Sequence, residues 1–203
     1  MRIFSNFTWR FISDKKHIHL TFDDGPTPEI TNFVLSELKK HQAKATFFCI
    51  GKNIEEHPEI FKQVLSDGHS IGNHTHNHLN GWRTSTKNYI KNITNTENTF
   101  QQFNLSTLQQ KLFRPPYGKI KFSQTKELQK LGYKIIFWDV LSADFDQRIT
   151  KEKCLENVLK NTKNGSIIVF HDSIKASEKL QYVLPKVLDF FSKKGYEFKK
   201  IET

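Results

Sequence analysis

Short apolar stretches alternate with amphipathic stretches along the whole chain. Each apolar stretch has the length of a strand, and the amphipathic stretches between them are long enough for helices. This alternation is typical of repeated β-α units around a mostly parallel sheet, so it predicts an α/β fold. The pattern leaves open whether the sheet closes into a barrel. The seven predicted strands are Ile18–Phe22, Ala45–Ile50, His69–Gly72, Lys111–Arg114, Lys134–Trp138, Ile167–Phe170 and Tyr196–Ile201.

Apolar residues recur at helical spacing between several of these strands. One such stripe lies within residues 30–38 and another within residues 180–191. We interpret both as helix faces that pack on the sheet. Residues that commonly cap helices precede three amphipathic stretches, at Thr27, Ser123 and Ser177.

The length and composition of the chain fit one globular domain. The chain has 203 residues, of which 36% are hydrophobic, and this is enough for a continuous core. We find no linker-like stretch and no internal repeat, so we predict a single domain over residues 1–203. The first residues contain no apolar run long enough for a signal-peptide core or a membrane span. This favours a cytoplasmic location, and a cell-envelope or exported location stays open.

The chain is basic, with 31 Lys and Arg against 21 Asp and Glu and a formal charge of +10. Such a charge is compatible with an anionic glycan, a membrane surface or a nucleic acid as partner. Most lysines stand singly or in pairs along the chain, and no segment has the spacing of a zinc finger or an RNA-binding motif. We therefore attribute the charge to a solvated surface and predict no nucleic-acid partner. The sequence gives no indication of the oligomeric state.

Polar side chains follow the carboxyl ends of five predicted strands. α/β enzymes build their sites on this face because the ends of parallel strands converge there. We therefore expect these side chains to share one site. They are Asp23 and Asp24, the segment His74–His78, Arg114, Asp139 and His171.

The adjacent carboxylates of Asp23 and Asp24 lie between an apolar strand and a Gly-Pro turn. Neighbouring residues at a strand end point in opposed directions, so one carboxylate can face a metal ion and the other a bound water. An Asp-Gly-Pro turn that caps a helix explains the same pattern equally well.

Three histidines alternate in the segment from His74 to His78. In a helix, His74 and His78 share one face, and in an extended segment all three line one side. A helix or a tight loop leaves His76 on the cleft wall. Such a dense run of imidazoles favours a metal site. Asp24 completes a predicted ligand set with His74 and His78. This set leaves coordination positions open for water and substrate.

Hydrolysis at such a metal needs a base for the water and an acid for the leaving group. Asp23 is the candidate base and His171 the candidate acid. Arg114 can hold Asp23 ionised, and a backbone N–H near Tyr117 can stabilise an oxyanion. An ordinary histidine at a strand end and a structural salt bridge of Arg114 are the plainer alternatives.

Four motifs, in this order, make the chain similar to the polysaccharide deacetylases of carbohydrate esterase family four, which have the NodB-homology domain. The similarity covers about residues 17–201 and implies a distorted (β/α) barrel with seven strands. The motifs are Thr21–Pro26, His74–His78, Arg114–Gly118 and Val169–His171.

This resemblance implies hydrolysis of N-acetyl or O-acetyl groups on peptidoglycan, chitin, xylan or a related glycan. It implies a divalent metal ion, zinc above all, with cobalt or nickel as alternatives. Asp24, His74 and His78 would bind the metal. Asp23 would be the base, His171 the acid, Arg114 the residue that orients the base, and Tyr117 the oxyanion donor. Tyr117, Pro116 and Trp82 are the candidate substrate-binding residues.

One motif departs from the family pattern D-x-x-D-W. Leu141 stands where we align the first Asp, and Phe145 where we align the Trp. The resemblance implies that this first Asp pairs with the catalytic histidine and keeps it protonated. Its loss predicts that Asp139 or Asp144 substitutes for it, or that the pKa of His171 and the optimum pH are lower. An altered substrate pocket is equally consistent with both residues.

Two other functions remain open at this point. One is deacetylation of a small amide that is not a polysaccharide. The other is a catalytically weak glycan-binding module that keeps its metal for stability.

Overall fold

The computed structural model describes residues 7–103 and 111–202. Residues 1–6, 104–110 and 203 of the predicted domain lie outside this part of the chain. The strands are β1 Phe7–Thr8, β2 His17–Asp23, β3 Thr46–Cys49, β4 Ser70–Asn73, β5 Lys111–Phe113, β6 Tyr133–Ile136, β7 Val140–Leu141, β8 Ile167–His171 and β9 Glu197–Phe198. The α-helices are α1 Ile30–Lys40, α2 Gly51–Glu56, α3 Pro58–Ser66, α4 Thr86–Gln101, α5 Phe122–Lys130, α6 Lys151–Asn161 and α7 Ser177–Lys193.

All paired strands in the described residues are parallel, in the order β1-β6-β5-β4-β3-β2-β8-β7, and β9 pairs with the start of β2. The sheet curls, because the chain leaves β6 and forms β7 at the opposite end of the order. A bridge between Arg10 and Ser166 also joins the two ends. The predicted α/β fold with a distorted barrel is therefore confirmed.

The strand predictions differ from the structure mainly at strand ends. β1 and β7 were missed because each is two residues long, too short to produce a periodic pattern. The predicted strand Lys134–Trp138 ends at Ile136. There the chain turns toward β7, and the Phe137 N–H donates to the carbonyl of Thr8 at 2.8 Å.

The helices cover the outside of the curled sheet with their apolar faces. α7 buries the predicted stripe from Leu180 to Phe191, and α1 buries Val34, Leu35 and Leu38. The predicted caps were wrong. α1 begins after Glu29, α5 begins at Phe122, and Ser177 is the first residue of α7 rather than its cap.

No helix in residues 7–103 and 111–202 combines the length and the hydropathy that crossing a membrane requires. The parallel strands bring their carboxyl ends to one face of the barrel. In the register of β2 and β8, Asp23 pairs with His171. Polar residues that are far apart in the sequence therefore meet at this face.

Candidate active site

A cleft of about 840 Å³ opens at the carboxyl ends of the strands. It brings together six of the predicted site residues, as we expect for side chains that follow the carboxyl ends of parallel strands. These are Asp23, Asp24, His74, His78, Tyr117 and His171.

Arg114 lies behind the cleft and is fully buried. It follows β5, and its Nη1 donates to Asp23 Oδ1 at 2.7 Å and to Thr21 Oγ1 at 2.6 Å, both on β2. Its remaining donors reach the carbonyls of Ile136 and Phe137, at 3.2 and 3.0 Å. The guanidinium therefore links β5, β2 and the end of β6, and it fixes the Asp23 carboxylate in one orientation.

The electrostatics of Asp23 suit a proton acceptor. Burial raises the pKa of Asp23 above its ordinary value, and the charge of Arg114 opposes this rise. A carboxylate with a raised pKa is a stronger base than one in water, provided that it stays ionised. The buried guanidinium favours the ionised form.

Asp24, His74 and His78 offer three ligand atoms that lie within 4.8 Å of one another. His78 Nε2 is 3.2 Å from Asp24 Oδ1, and His74 Nε2 is 3.7 Å from the same oxygen. His74 Nδ1 lies 2.8 Å from the backbone carbonyl of Arg114. Donation of a proton to this carbonyl leaves Nε2 with its lone pair toward Asp24.

These three residues fit a divalent cation. Asp24 Oδ1 is buried without a hydrogen-bond partner in the described residues, although buried carboxylate oxygens are normally paired. Burial lowers the pKa of His74 and of His78. At His78 the charge of Asp24 opposes this decrease. Both imidazoles therefore favour the neutral form that binds metals.

The segment from His74 to His78 is a tight loop, neither a helix nor a strand. Thr75 and His78 have positive φ angles of 64° and 52°, which turn the chain so that both outer histidines face Asp24. His76 points away, with its Nε2 3.7 Å from Glu55 Oε2. Of the three geometries considered, the tight loop is the observed one. His76 is not among the described residues that line the cleft, so its predicted place on the cleft wall was wrong.

His171 is paired with Asp144. Its Nδ1 lies 2.8 Å from Asp144 Oδ1, and its backbone N–H donates to Asp144 Oδ2 at 2.7 Å. Burial lowers the pKa of His171, but Asp144, Asp23 and Asp24 together raise it to about 9. The alternative of a lowered pKa was therefore wrong. Asp139 does not substitute, since its carboxylate accepts bonds from Ser166 and Ile167.

Leu141 does not stand at the position of the histidine's partner. It is 41% exposed and lines the cleft beside Phe145, whose ring meets the His171 ring edge-on at 5.0 Å between centroids. The departure from the family motif therefore alters the wall of the cleft and leaves the partner of His171 in place.

The three candidate substrate-binding residues lie in different surroundings. Tyr117 is exposed, has a φ of 60°, and its ring lies 4.5 Å from the ring of His78. Neither Pro116 nor Trp82 is among the described residues that line the cleft. Pro116 is buried. Trp82 is exposed, with its Nε1 donating to the carbonyl of Ile120 at 3.2 Å.

Sequence reasoning missed one wall of the cleft and the residues behind it. The missed residues follow β3 and β8, where no motif marks them. Asp172 is the exception, since its place directly after His171 was a usable signal. The missed lining residues include Ile50, Asn53, Glu56, His57, Ser173, Ile174 and Lys175.

A family model described as polysaccharide deacetylase matches residues 12–136. The chain belongs to the polysaccharide deacetylase family. It is 36% identical over 192 residues to a peptidoglycan-N-acetylglucosamine deacetylase of Bacillus cereus, covering 94% of this chain and 89% of that protein. Other relatives are longer, and the chain spans 57% of a second such B. cereus deacetylase and 38% of the N-acetylmuramic acid deacetylase PdaC of Bacillus subtilis.

Solved structures of the family share the fold. The crystal structure of the peptidoglycan N-acetylglucosamine deacetylase Bc1960, in complex with an N-hydroxybenzamide, has a TM-score of 0.89 at 32% identity over 97% of this chain and 91% of that chain. A mutant of BA3943, from Bacillus anthracis, has a TM-score of 0.83 at 25% identity over 96% of this chain and 69% of that chain. BA3943 is described as a family pseudoenzyme, and this mutant as having restored activity. Membership of the polysaccharide deacetylase family thus does not by itself establish activity.

We predict that Arg114→Met lowers the free energy of unfolding by about 3–5 kcal/mol, because it leaves the buried Asp23 carboxylate unpaired. Urea denaturation measures this loss. Arg148→Met is the matched control, since Arg148 pairs with Asp146 on the surface, and its effect should be far smaller. A double variant with Asp23→Asn should lose less than the sum of the two single variants. Strict additivity would show that the pair is not coupled.

We predict that Asp144→Asn lowers the pKa of His171 from about 9 toward or below the ordinary value of about 6.5. A neighbouring negative charge stabilises the imidazolium, and the substitution removes that charge. Titration of the imidazole by NMR in the metal-free protein measures the pKa. Asp139→Asn is the control and should leave it unchanged, and equal effects of the two substitutions would contradict the assignment of Asp144.

Proposed function

We propose that this protein is a metal-dependent deacetylase that removes N-acetyl groups from amino sugars of a polymer such as peptidoglycan or a chitin oligosaccharide. O-acetyl groups are the alternative target. One observation carries the proposal. A buried carboxylate oxygen of Asp24 without a hydrogen-bond partner faces two histidines. The same cleft contains the buried carboxylate of Asp23 and the partly buried imidazole of His171, both with raised pKa values.

Asp24, His74 and His78 would hold the metal ion, with zinc first and cobalt or nickel as alternatives. When bound, the ion would polarise the carbonyl of the acetyl group and lower the pKa of a water molecule. Two imidazole nitrogens and one carboxylate oxygen suit these ions.

Asp23 accepts a proton from the attacking water in this proposal, and His171 donates one to the leaving nitrogen. Arg114 is the positioning residue of the base, because it holds Asp23 at 2.7 Å and favours its ionised form. Asp144 keeps His171 protonated at neutral pH, which a general acid requires. The raised pKa values of both groups support this division of roles.

The backbone N–H of Tyr117 is the proposed oxyanion donor. Tyr117 has a positive φ, so its backbone departs from the helical geometry of the short turn Pro116–Gly118. Its ring lies beside the ring of His78 at the cleft. A backbone donor held in place by a turn needs little reorganisation when charge develops on the carbonyl oxygen. Pro116 would serve by fixing this turn.

The substrate class follows from the relatives, whose names specify peptidoglycan N-acetylglucosamine and N-acetylmuramic acid. Such a substrate lies in the cell envelope, so we propose that location rather than the cytoplasm. We further propose that residues 1–203 act as one catalytic domain. Trp82 would contribute a surface on which a sugar ring stacks, next to the segment that follows Tyr117, since its indole donates to the carbonyl of Ile120.

A binding protein without activity is the second candidate, because a structural neighbour is described as a pseudoenzyme. The presence of base, acid and ligand set in one cleft favours an active enzyme.

We predict that the chelated protein releases no acetate from N-acetylglucosamine oligomers or peptidoglycan, and that added zinc or cobalt restores release. Asp23→Asn should lower kcat by about 10²–10⁴-fold, because it removes the proton acceptor. Acetate release measures both effects. Calorimetry should show that Asp23→Asn still binds zinc. A metal-loaded wild type that binds the oligomers and releases no acetate would favour the binding module.

We predict that Trp82→Ala raises KM for a long N-acetylglucosamine oligomer by about two- to tenfold, the effect of losing one stacking contact, with kcat unchanged. Steady-state acetate release from the hexamer measures this. The dimer serves as the control, since a stacking surface outside the cleft lining should favour the longer oligomer. An equal change for dimer and hexamer would argue against a separate stacking surface.

A further inference from the structure

The carboxylate of Asp172 has no role in the proposed reaction, although it directly follows His171. It is fully buried, and burial of a carboxylate is costly without compensating partners. Each of its two oxygens accepts one hydrogen bond. Oδ1 accepts the backbone N–H of Gly25 at 3.0 Å, and Oδ2 accepts the hydroxyl of Thr31 at 2.6 Å. Burial nevertheless raises the pKa of Asp172 to about 7, so these bonds offset the cost only in part.

The loop that Asp172 contacts carries the candidate metal ligand Asp24. Asp24 has a φ of 84°, which is strained for a residue with a side chain and persists only when neighbouring groups enforce it. The bonds of Asp172 provide such enforcement on both sides of Asp24. The backbone N–H of Asp172 donates to the carbonyl of Asp23 at 3.0 Å, and its carboxylate holds the N–H of Gly25.

Thr31 extends this contact to helix α1. While it donates to Asp172, its hydroxyl accepts the backbone N–H of Thr27 at 2.8 Å. The loop after Asp24 is therefore joined to the first turn of α1 through one buried hydroxyl. Gly25 must lack a side chain here, because a Cβ atom would overlap the Asp172 carboxylate.

The opposite side of the loop is held independently. Asn53 Nδ2 donates to the carbonyl of Asp24 at 2.7 Å, and the Ile50 N–H donates to the carbonyl of Gly25 at 3.0 Å. Loss of the Asp172 contact would therefore loosen the loop without releasing it, so that Asp24 samples other orientations. The expected consequence is weaker metal binding by a folded protein.

We propose that Asp172 and Thr31 are positioning residues that hold Asp24 in its strained conformation and so preorganise the metal centre. This rests on the proposed metal site at Asp24, His74 and His78. Neither residue touches the metal or the substrate in this role. They act through Gly25, one residue beyond the ligand, as supporting hydrogen bonds do in metal sites generally.

The test compares zinc affinity, measured by calorimetry on the metal-free protein, in variants that differ in one buried hydroxyl. Thr31→Val keeps the shape of the side chain and removes both bonds, and Thr31→Ser keeps the hydroxyl. Thr46→Val is the matched control. Thr46 is a fully buried threonine on β3 whose hydroxyl accepts the backbone N–H of Ile201 at 2.8 Å. It pairs with Thr21, three residues before Asp24, and has no hydrogen bond to the loop of Asp24 in the described residues.

We expect Thr31→Val to weaken zinc binding by about 10- to 100-fold, Thr31→Ser to recover most of the affinity, and Thr46→Val to leave it unchanged. Thermal unfolding without metal monitors stability separately, and both valine variants should lose some. Asp172→Asn, which replaces one acceptor with a donor, should weaken binding similarly.

Two results would overturn the proposal, and they differ from each other. Equal zinc affinities of wild type and Thr31→Val, with a loss of stability alone, would show that Asp172 and Thr31 serve only the fold. The metal centre itself would then stand. Absence of zinc and cobalt binding by the wild type would overturn the metal centre and, with it, any positioning role.

Discussion

The buried ion pair between Arg114 and Asp23 lies at the centre of the molecule's architecture and of its candidate chemistry. The guanidinium is fully buried and has partners on β2 and at the end of β6, so it spans the interior of the curled sheet. The backbone carbonyl of the same residue orients His74. The proposed base and one proposed metal ligand therefore depend on the placement of one side chain and its own peptide group.

Parallel strands explain why the other groups meet here. Every paired strand in the described residues points its carboxyl end to the same face, so the loops that follow β2, β4 and β8 surround one cleft. Several residues at this face have positive φ angles, among them Asp24, Thr75 and His78 in these loops and Tyr117 after β5. Such strain is stored where a rigid scaffold enforces it. The barrel supplies that scaffold. Buried acceptors at the strand ends, such as the carboxylate of Asp172, bind the backbone N–H groups of the loops.

The fourth motif shows where reasoning from one sequence stopped short. Two aspartates flank Leu141, and spacing alone could not choose between them. In the fold, Asp144 turns both carboxylate oxygens to His171, while Asp139 binds the start of β8. The choice depends on the path of the chain after β7. Residues 142–146 form a loop in which Ala143 has a positive φ, and no local pattern encodes this path.

From the sequence alone follow the α/β class, the positions of seven of the nine strands in the described residues to within a few residues, the family and the metal-ligand candidates. These follow from periodicity and from motifs whose residues lie close together in the chain, where local geometry limits the possibilities. Tertiary packing sets the closure of the sheet, the partner of His171, the direction of His76 and the contact of Asp172 with Thr31. Each of these joins residues far apart in the sequence, so it depends on packing and on burial, which determine the partners and the pKa values together.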